Sequence, residues 1–153
     1  MTICAEIRAK FFGLFFLVLA GAVLPGLGIA GERMSVTSGV TNVRSGPGNN
    51  YDVLWQIEKY HPIDVVEKKG SWYHFKDFEG DLGWVHRSMV GTTRSVITVK
   101  GGCNVRSGPG TDNSIVFTVE KGVPFKVLET KGKWIRIEHA DKDTGWIYSD
   151  LVW

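Results

Sequence analysis

The chain has 153 residues and balances 18 basic against 16 acidic side chains, for a net charge of +2. That balance leaves no cationic surplus of the kind phosphate backbones demand, so nucleic acid is not expected as a partner. An acidic substrate or an anionic membrane surface gains no support either.

The chain begins with a segment that does not read as part of a fold. Arg8 and Lys10 precede an uncharged apolar run from Phe11 to Leu24, followed by Pro25 and small residues ending in Gly28-Ile29-Ala30. A basic start, an apolar centre and small side chains before the cut describe a secretory signal peptide, predicted over residues 1–30 with cleavage after Ala30. An uncleaved N-terminal membrane anchor is the alternative, since Phe11 to Ala30 reaches the roughly 20 apolar residues a spanning helix needs. Pro25 and Gly13, Gly21, Gly26 and Gly28 interrupt that stretch. Both readings put the rest of the chain outside the cytoplasm, as an exported, periplasmic or envelope-associated protein. Cys103 is the one cysteine beyond this segment, so no internal disulfide is expected after cleavage.

Past Ala30 the chain repeats itself. Asn42-Val43-Arg44-Ser45-Gly46-Pro47-Gly48 recurs letter for letter as Asn104 to Gly110, 62 residues later, and 20 of 57 positions match between residues 34–90 and 96–152. A period that keeps apolar and turn residues in register marks a duplicated structural unit. Each unit is a series of short apolar-alternating runs broken by Gly, Pro, Asn and Asp, which predicts a small all-β barrel.

Comparing the copies separates inside from outside. Val53, Trp55 and Ile57 exchange with Ile115, Phe117 and Val119, while Gln56 exchanges with Thr118, so the odd positions are predicted to face the core. Ile63 and Val65 follow the same rule with Phe125 and Val127. In the next strands, Tyr73, Phe75 and Val85 exchange with Ile135, Ile137 and Ile147 and are predicted core. The opposite face then carries Trp72, His74, Trp84 and His86 in one copy, and Trp134, Arg136, Trp146 and Tyr148 in the other. His74 and Arg136 mark that face as wet. Gly46-Pro47-Gly48 reads as a rigid bend with permissive backbone. Arg44 and Arg106 lie on the polar side of their strand, either solvated or available to a carboxylate.

Asn-Val-Arg-Ser-Gly-Pro-Gly, then Gly-x-Trp, then Gly-Trp-Val/Ile, at these separations and twice over, resembles bacterial SH3 domains. The resemblance implies an all-β fold of two tandem small SH3-like β-barrels, residues 34–90 and 96–152. It also implies a non-catalytic targeting module of the cell envelope, whose partner is a peptidoglycan peptide or an envelope protein. Its ligand groove would fall on Tyr51, Trp72, Trp84 and His86 in the first copy, and on Trp134, Trp146 and Tyr148 in the second. Asn113 stands where Tyr51 would be, so the second groove is expected to be weaker or differently selective.

Exposed indoles favour a binding face. A second reading makes the Trp faces a dimer or inter-repeat interface. A third, an envelope hydrolase, has little support from the residues. His61, His74, His86 and His139 lack metal-ligand spacing, and Cys103 is Thr41 in the first copy. No catalytic residue, metal or cofactor is expected, and the chain is expected not to be an enzyme.

Overall fold

The computed structural model describes residues 31–153; the predicted signal peptide lies outside the described residues. Residues 31–153 form two sheets, each curled around its own core. The first contains β1 (Glu32–Val36), β2 (Thr41–Arg44), β3 (Val53–Ile57), β4 (Pro62–Lys69), β5 (Trp72–Lys76), β6 (Leu82–His86) and β7 (Val90–Gly91). They are ordered β3-β2-β6-β5-β4-β1-β7. The second contains β8 (Ser95–Ile97), β9 (Cys103–Arg106), β10 (Ile115–Val119), β11 (Pro124–Lys131), β12 (Trp134–Glu138) and β13 (Thr144–Tyr148), in the order β10-β9-β13-β12-β11-β8. A 3₁₀ turn follows β6 at Arg87–Met89, and its counterpart follows β13 at Ser149–Leu151. This is the all-β pair of barrels that the repeat predicts.

The core follows the exchange pattern closely. Ile63, Phe75 and Val85 are fully buried in the first barrel, and Phe125, Ile137 and Ile147 in the second. The glycine of each Gly-Trp pair makes this packing close. A Cβ on Gly83 would lie 2.2 Å from Val43 Cγ1, and one on Gly145 would lie 2.4 Å from Val105 Cγ1. The heptapeptide strand and the Gly-Trp strand are thus matched parts of one core.

One expectation fails at the same place in both copies. Val53 and Ile115 were expected inside, yet they are 46% and 50% exposed. The cause is a bulge. Pairing steps from Val43 opposite Trp55 to Arg44 opposite Val53, and from Val105 opposite Phe117 to Arg106 opposite Ile115. One extra residue, Leu54 or Val116, reverses the side-chain alternation before it. Trp55 and Phe117 still pack on the cores as expected.

The barrels sit directly against each other. The linker is bonded to both: Ser35 Oγ donates to the Thr93 carbonyl at 2.8 Å, and the Val127 amide donates to the Arg94 carbonyl at 2.9 Å. The Arg33 guanidinium lies 3.4 Å above the Trp153 ring, and Lys121 Nζ reaches Glu79 Oε1 at 2.6 Å. Trp72, Trp84, Trp134 and Trp146 take no part in these contacts; they belong to a different face.

Candidate functional site

On β5 and β6 the outward residues pair across the hairpin. His74 stacks on Trp84 with ring centroids 4.6 Å apart, and Trp72 meets the edge of His86 at 5.2 Å. Glu67, opposite His74 on β4, approaches its ring nitrogen at 3.7 Å. In the second barrel Trp134 meets Tyr148 edge-on at 5.4 Å, and Arg136 lies opposite Trp146. Each barrel therefore presents two cross-strand rows, one with an aromatic pair and one with an indole beside a basic or imidazole side chain.

The heptapeptide borders this face, and its half-buried arginines are bonded to backbone carbonyls of their own loops. Arg44 Nη1 donates to the carbonyls of Asn49 and Tyr51 at 3.2 and 2.8 Å. Arg106 Nη1 donates to those of Thr111 and Asn113 at 3.0 and 2.8 Å. Each arginine ties down the loop that follows its own strand. The glycines of the motif allow close approach rather than unusual backbone. A Cβ on Gly46 would lie 2.2 Å from the Tyr51 ring, and one on Gly108 would lie 2.5 Å from the Asn113 amide oxygen. Neither Gly46 nor Gly108 has a left-handed φ, which corrects the expectation of permissive backbone there.

Between the heptapeptide strand and the aromatic row lies a groove, present in both barrels on equivalent residues. In the first it is lined by Val40, Thr41, Asn42, Arg44, Asn49, Trp72, His86 and Met89. In the second, all eight counterparts line it: Gly102, Cys103, Asn104, Arg106, Thr111, Trp134, Tyr148 and Leu151, joined by Lys100 and Gly101. Its volume is about 140 Å³ in the first barrel and about 490 Å³ in the second.

Four of the seven expected site residues meet here: Trp72 with His86, and Trp134 with Tyr148. Trp84 and Trp146 stand one row away on the same face. Tyr51 packs over Gly46, outside the groove lining, so its exchange for Asn113 does not account for the difference between the grooves. Asn42, Asn104, Lys100 and the Val40/Gly102 position were not singled out from sequence. The repeat of Asn-x-Arg gave a signal for the asparagines; nothing signalled Val40 and Gly102.

Cys103 forms part of the groove floor. It is 3% exposed, and its thiol donates to the Lys100 carbonyl at 3.1 Å. Burial pushes its pKa up, which works against the thiolate. Thr41 occupies the same place, its hydroxyl 2.9 Å from that of Ser38. Lys133, at the rim, has its pKa raised chiefly by the Asp150 carboxylate. Among the described residues no three His, Cys, Asp or Glu side chains cluster to hold a metal ion.

A second duplicated depression lies at one end of each barrel. Trp55, His61, Asp77 and Glu79 line the first, and Phe117, Val123, His139 and Asp141 the second. In the first barrel, Gly122, Val123 and Pro124 of the other barrel also line it, so it belongs to the seam. Asp77 is engaged in its own turn, accepting from the amides of Glu79 and Asp81 at 2.9 Å each. The groove beside the aromatic rows is the better candidate site, because in each barrel it lies beside the outward indoles, which are half-buried rather than exposed as expected.

A family model described as the bacterial SH3 domain matches residues 38–91 and 99–153. The chain is 28% identical over 133 residues to a Bacillus subtilis (strain 168) protein provisionally named N-acetylmuramoyl-L-alanine amidase YrvJ, covering 80% of this chain and 25% of that protein. It is 36% identical over 52 residues to a Staphylococcus epidermidis (strain RP62A) protein provisionally named cell wall amidase LytH, covering 33% of this chain and 18% of the relative. It is 29% identical over 100 residues to a Listeria monocytogenes (strain EGD-e) protein provisionally named endopeptidase p60, covering 63% and 21%. The chain spans a quarter or less of the length of these curated relatives. Their names overturn the expectation that the chain is not an enzyme: the relatives are amidases and an endopeptidase by name, which points to an enzyme family. That expectation rested on the lack of a catalytic constellation within the two repeats. That observation does not bear on what longer relatives do.

Proposed function

The chain belongs to the bacterial SH3 domain family in both of its halves, and from that membership we propose that its barrels serve as the wall-recognising part of a cell-wall hydrolase. In this reading they hold an amidase- or endopeptidase-type active site against peptidoglycan, and the grooves beside Trp72 and Trp134 grip a peptide of the wall. One observation carries the proposal: the same groove, bordered by an indole and a second ring, is built twice from equivalent residues. The flat face of an indole gives a peptide a large apolar contact at little entropic cost, and a neighbouring amide or cation fixes its direction. The relatives' names supply the wall as the setting. The basic and apolar N-terminal segment supports export to the cell envelope.

The seam between barrels uses Arg33, Trp153, Glu79 and Lys121, so the indole faces remain available to a ligand. Sedimentation of the full chain with purified peptidoglycan tests the reading. Retention is expected, with a loss of at least tenfold when Trp72 and Trp134 are both changed to Ala. Retention unchanged by the double substitution would sink the groove as the site. Zymography on cell walls, with this chain alone and joined to an amidase domain, reads the hydrolytic side. Clearing is expected to rise in the joined protein and to fall again with the double substitution.

A further inference from the structure

The two grooves are equivalent by residue but not by what their residues are free to do. In the first barrel Asn42 is committed: Gln56 Nε2 donates to its Oδ1 at 2.8 Å. Thr118 faces Asn104 in the second barrel, and its shorter side chain makes no such bond among the described residues. His86 is also committed, with its Nδ1 2.7 Å from Ser88 Oγ and accepting from the Ser88 amide at 3.3 Å. Tyr148, its counterpart, makes no side-chain cap to the 3₁₀ turn that follows it.

The lip of the groove differs too. Val40 carries a side chain over the first groove. Gly102 takes its place in the second with φ +65°, a left-handed backbone with open space where a Cβ would stand. The charge differs as well. Lys100 and Arg106 line the second groove with no carboxylate among the lining residues. Glu120 sits behind the loop, against Gly101. Ser38 stands where Lys100 would be in the first barrel, which leaves Arg44 as its one cation.

We propose that the barrels are unequal: the second groove binds a peptide through a free carboxylate, and the first is closed to that ligand. The peptide's apolar part lies along Trp134, Tyr148 and Leu151, the Asn104 amide pairs with its backbone, and Lys100 meets its carboxylate. This rests on the wall-binding reading and narrows it to one barrel and one ligand chemistry.

The test uses the full chain and purified peptidoglycan in two forms, native and with its carboxylates converted to amides by carbodiimide and ethanolamine. Binding to the native wall is expected to weaken at least tenfold in Lys100→Glu, an exposed position that leaves the fold intact. Trp134→Ala is expected to weaken it at least fivefold more than Trp72→Ala, with circular dichroism confirming that both fold. The amidated wall is expected to bind wild type as poorly as the native wall binds Lys100→Glu. Ser38→Lys with Val40→Gly, placed in the Trp134→Ala chain, is expected to restore binding through the first barrel. Equal losses in Trp72→Ala and Trp134→Ala would overturn the inequality while leaving wall binding intact. Undiminished binding to the amidated wall would overturn the carboxylate. No binding of wild type to either wall would overturn the wall-binding reading itself.

Discussion

Arg44 and Gly83 show how single residues of the repeated motifs build the groove without touching a ligand. The guanidinium of Arg44 holds two carbonyls of the next loop at 3.2 and 2.8 Å, and charge-assisted bonds of this kind contribute about 1.5–3 kcal/mol each when well formed. Arg106→Lys keeps the charge but loses the planar fork, so the loop carrying Thr111 should loosen. The expected outcome is a melting temperature lower by several degrees, together with faster amide exchange confined to residues 107–114. Gly83→Ala acts through packing: its Cβ would lie 2.2 Å from Val43 Cγ1. Overpacking of this size costs about 1–3 kcal/mol. Val43→Ala should cost stability alone yet recover part of the loss when combined with Gly83→Ala. Urea melts of the four chains in this double-mutant cycle read the coupling directly, and strict additivity would refute the contact.

Turns at the element scale show a reciprocal exchange between the copies. Tyr60 and Lys142 have φ of 70° and 78°, while their counterparts Gly122 and Gly80 have 86° and 93°. Each barrel thus places one non-glycine residue in a left-handed turn position, at a cost of about 1 kcal/mol. Lys142→Gly should relieve that strain at the expense of the exposed Lys142–Glu138 pair at 3.1 Å, which solvent screening keeps weak. A small net gain in the urea midpoint is expected, and Gly80→Ala should lower the unfolding free energy by about 1 kcal/mol. The strands themselves were legible because the copies report on each other: Tyr73, Phe75 and Val85 exchange only with apolar residues, and all three pack in the core. Val53 was misplaced because a bulge leaves no mark in composition; Val53 and Leu54 are both apolar, and parity cannot say which of them is extra. The indoles that border the groove were legible as outward aromatics. Its depth was not, since it depends on the backbone at Gly102 and on whether Asn42 and Asn104 already have partners.

At the scale of the whole molecule, the packing of one barrel on the other adds a dependence on pH. His61 lies in the depression shared with Gly122, Val123 and Pro124. It is 8% exposed, and its Nε2 has no hydrogen-bond partner. The Phe78 ring meets it edge-on at 6.0 Å. Burial lowers its pKa from 6.5 to about 4, against the attraction of Asp77 and with a smaller push from Arg33. The native state therefore keeps this imidazole neutral while the unfolded chain takes up a proton below pH 6.5. Stability from this residue is complete above pH 6.5, falls as pH drops from 6.5 to 4, and falls no further below that. The full span corresponds to about 3 kcal/mol. Asp77, Glu58, Glu79 and Asp81 also border the depression. His61→Val places the second barrel's residue, Val123, at the equivalent position of the first and removes the titration without adding a charge. Urea midpoints followed by tryptophan fluorescence should then fall between pH 7 and 4 in wild type and stay nearly level in His61→Val. An equal fall in both chains would show that His61 is not the source of the acid limb.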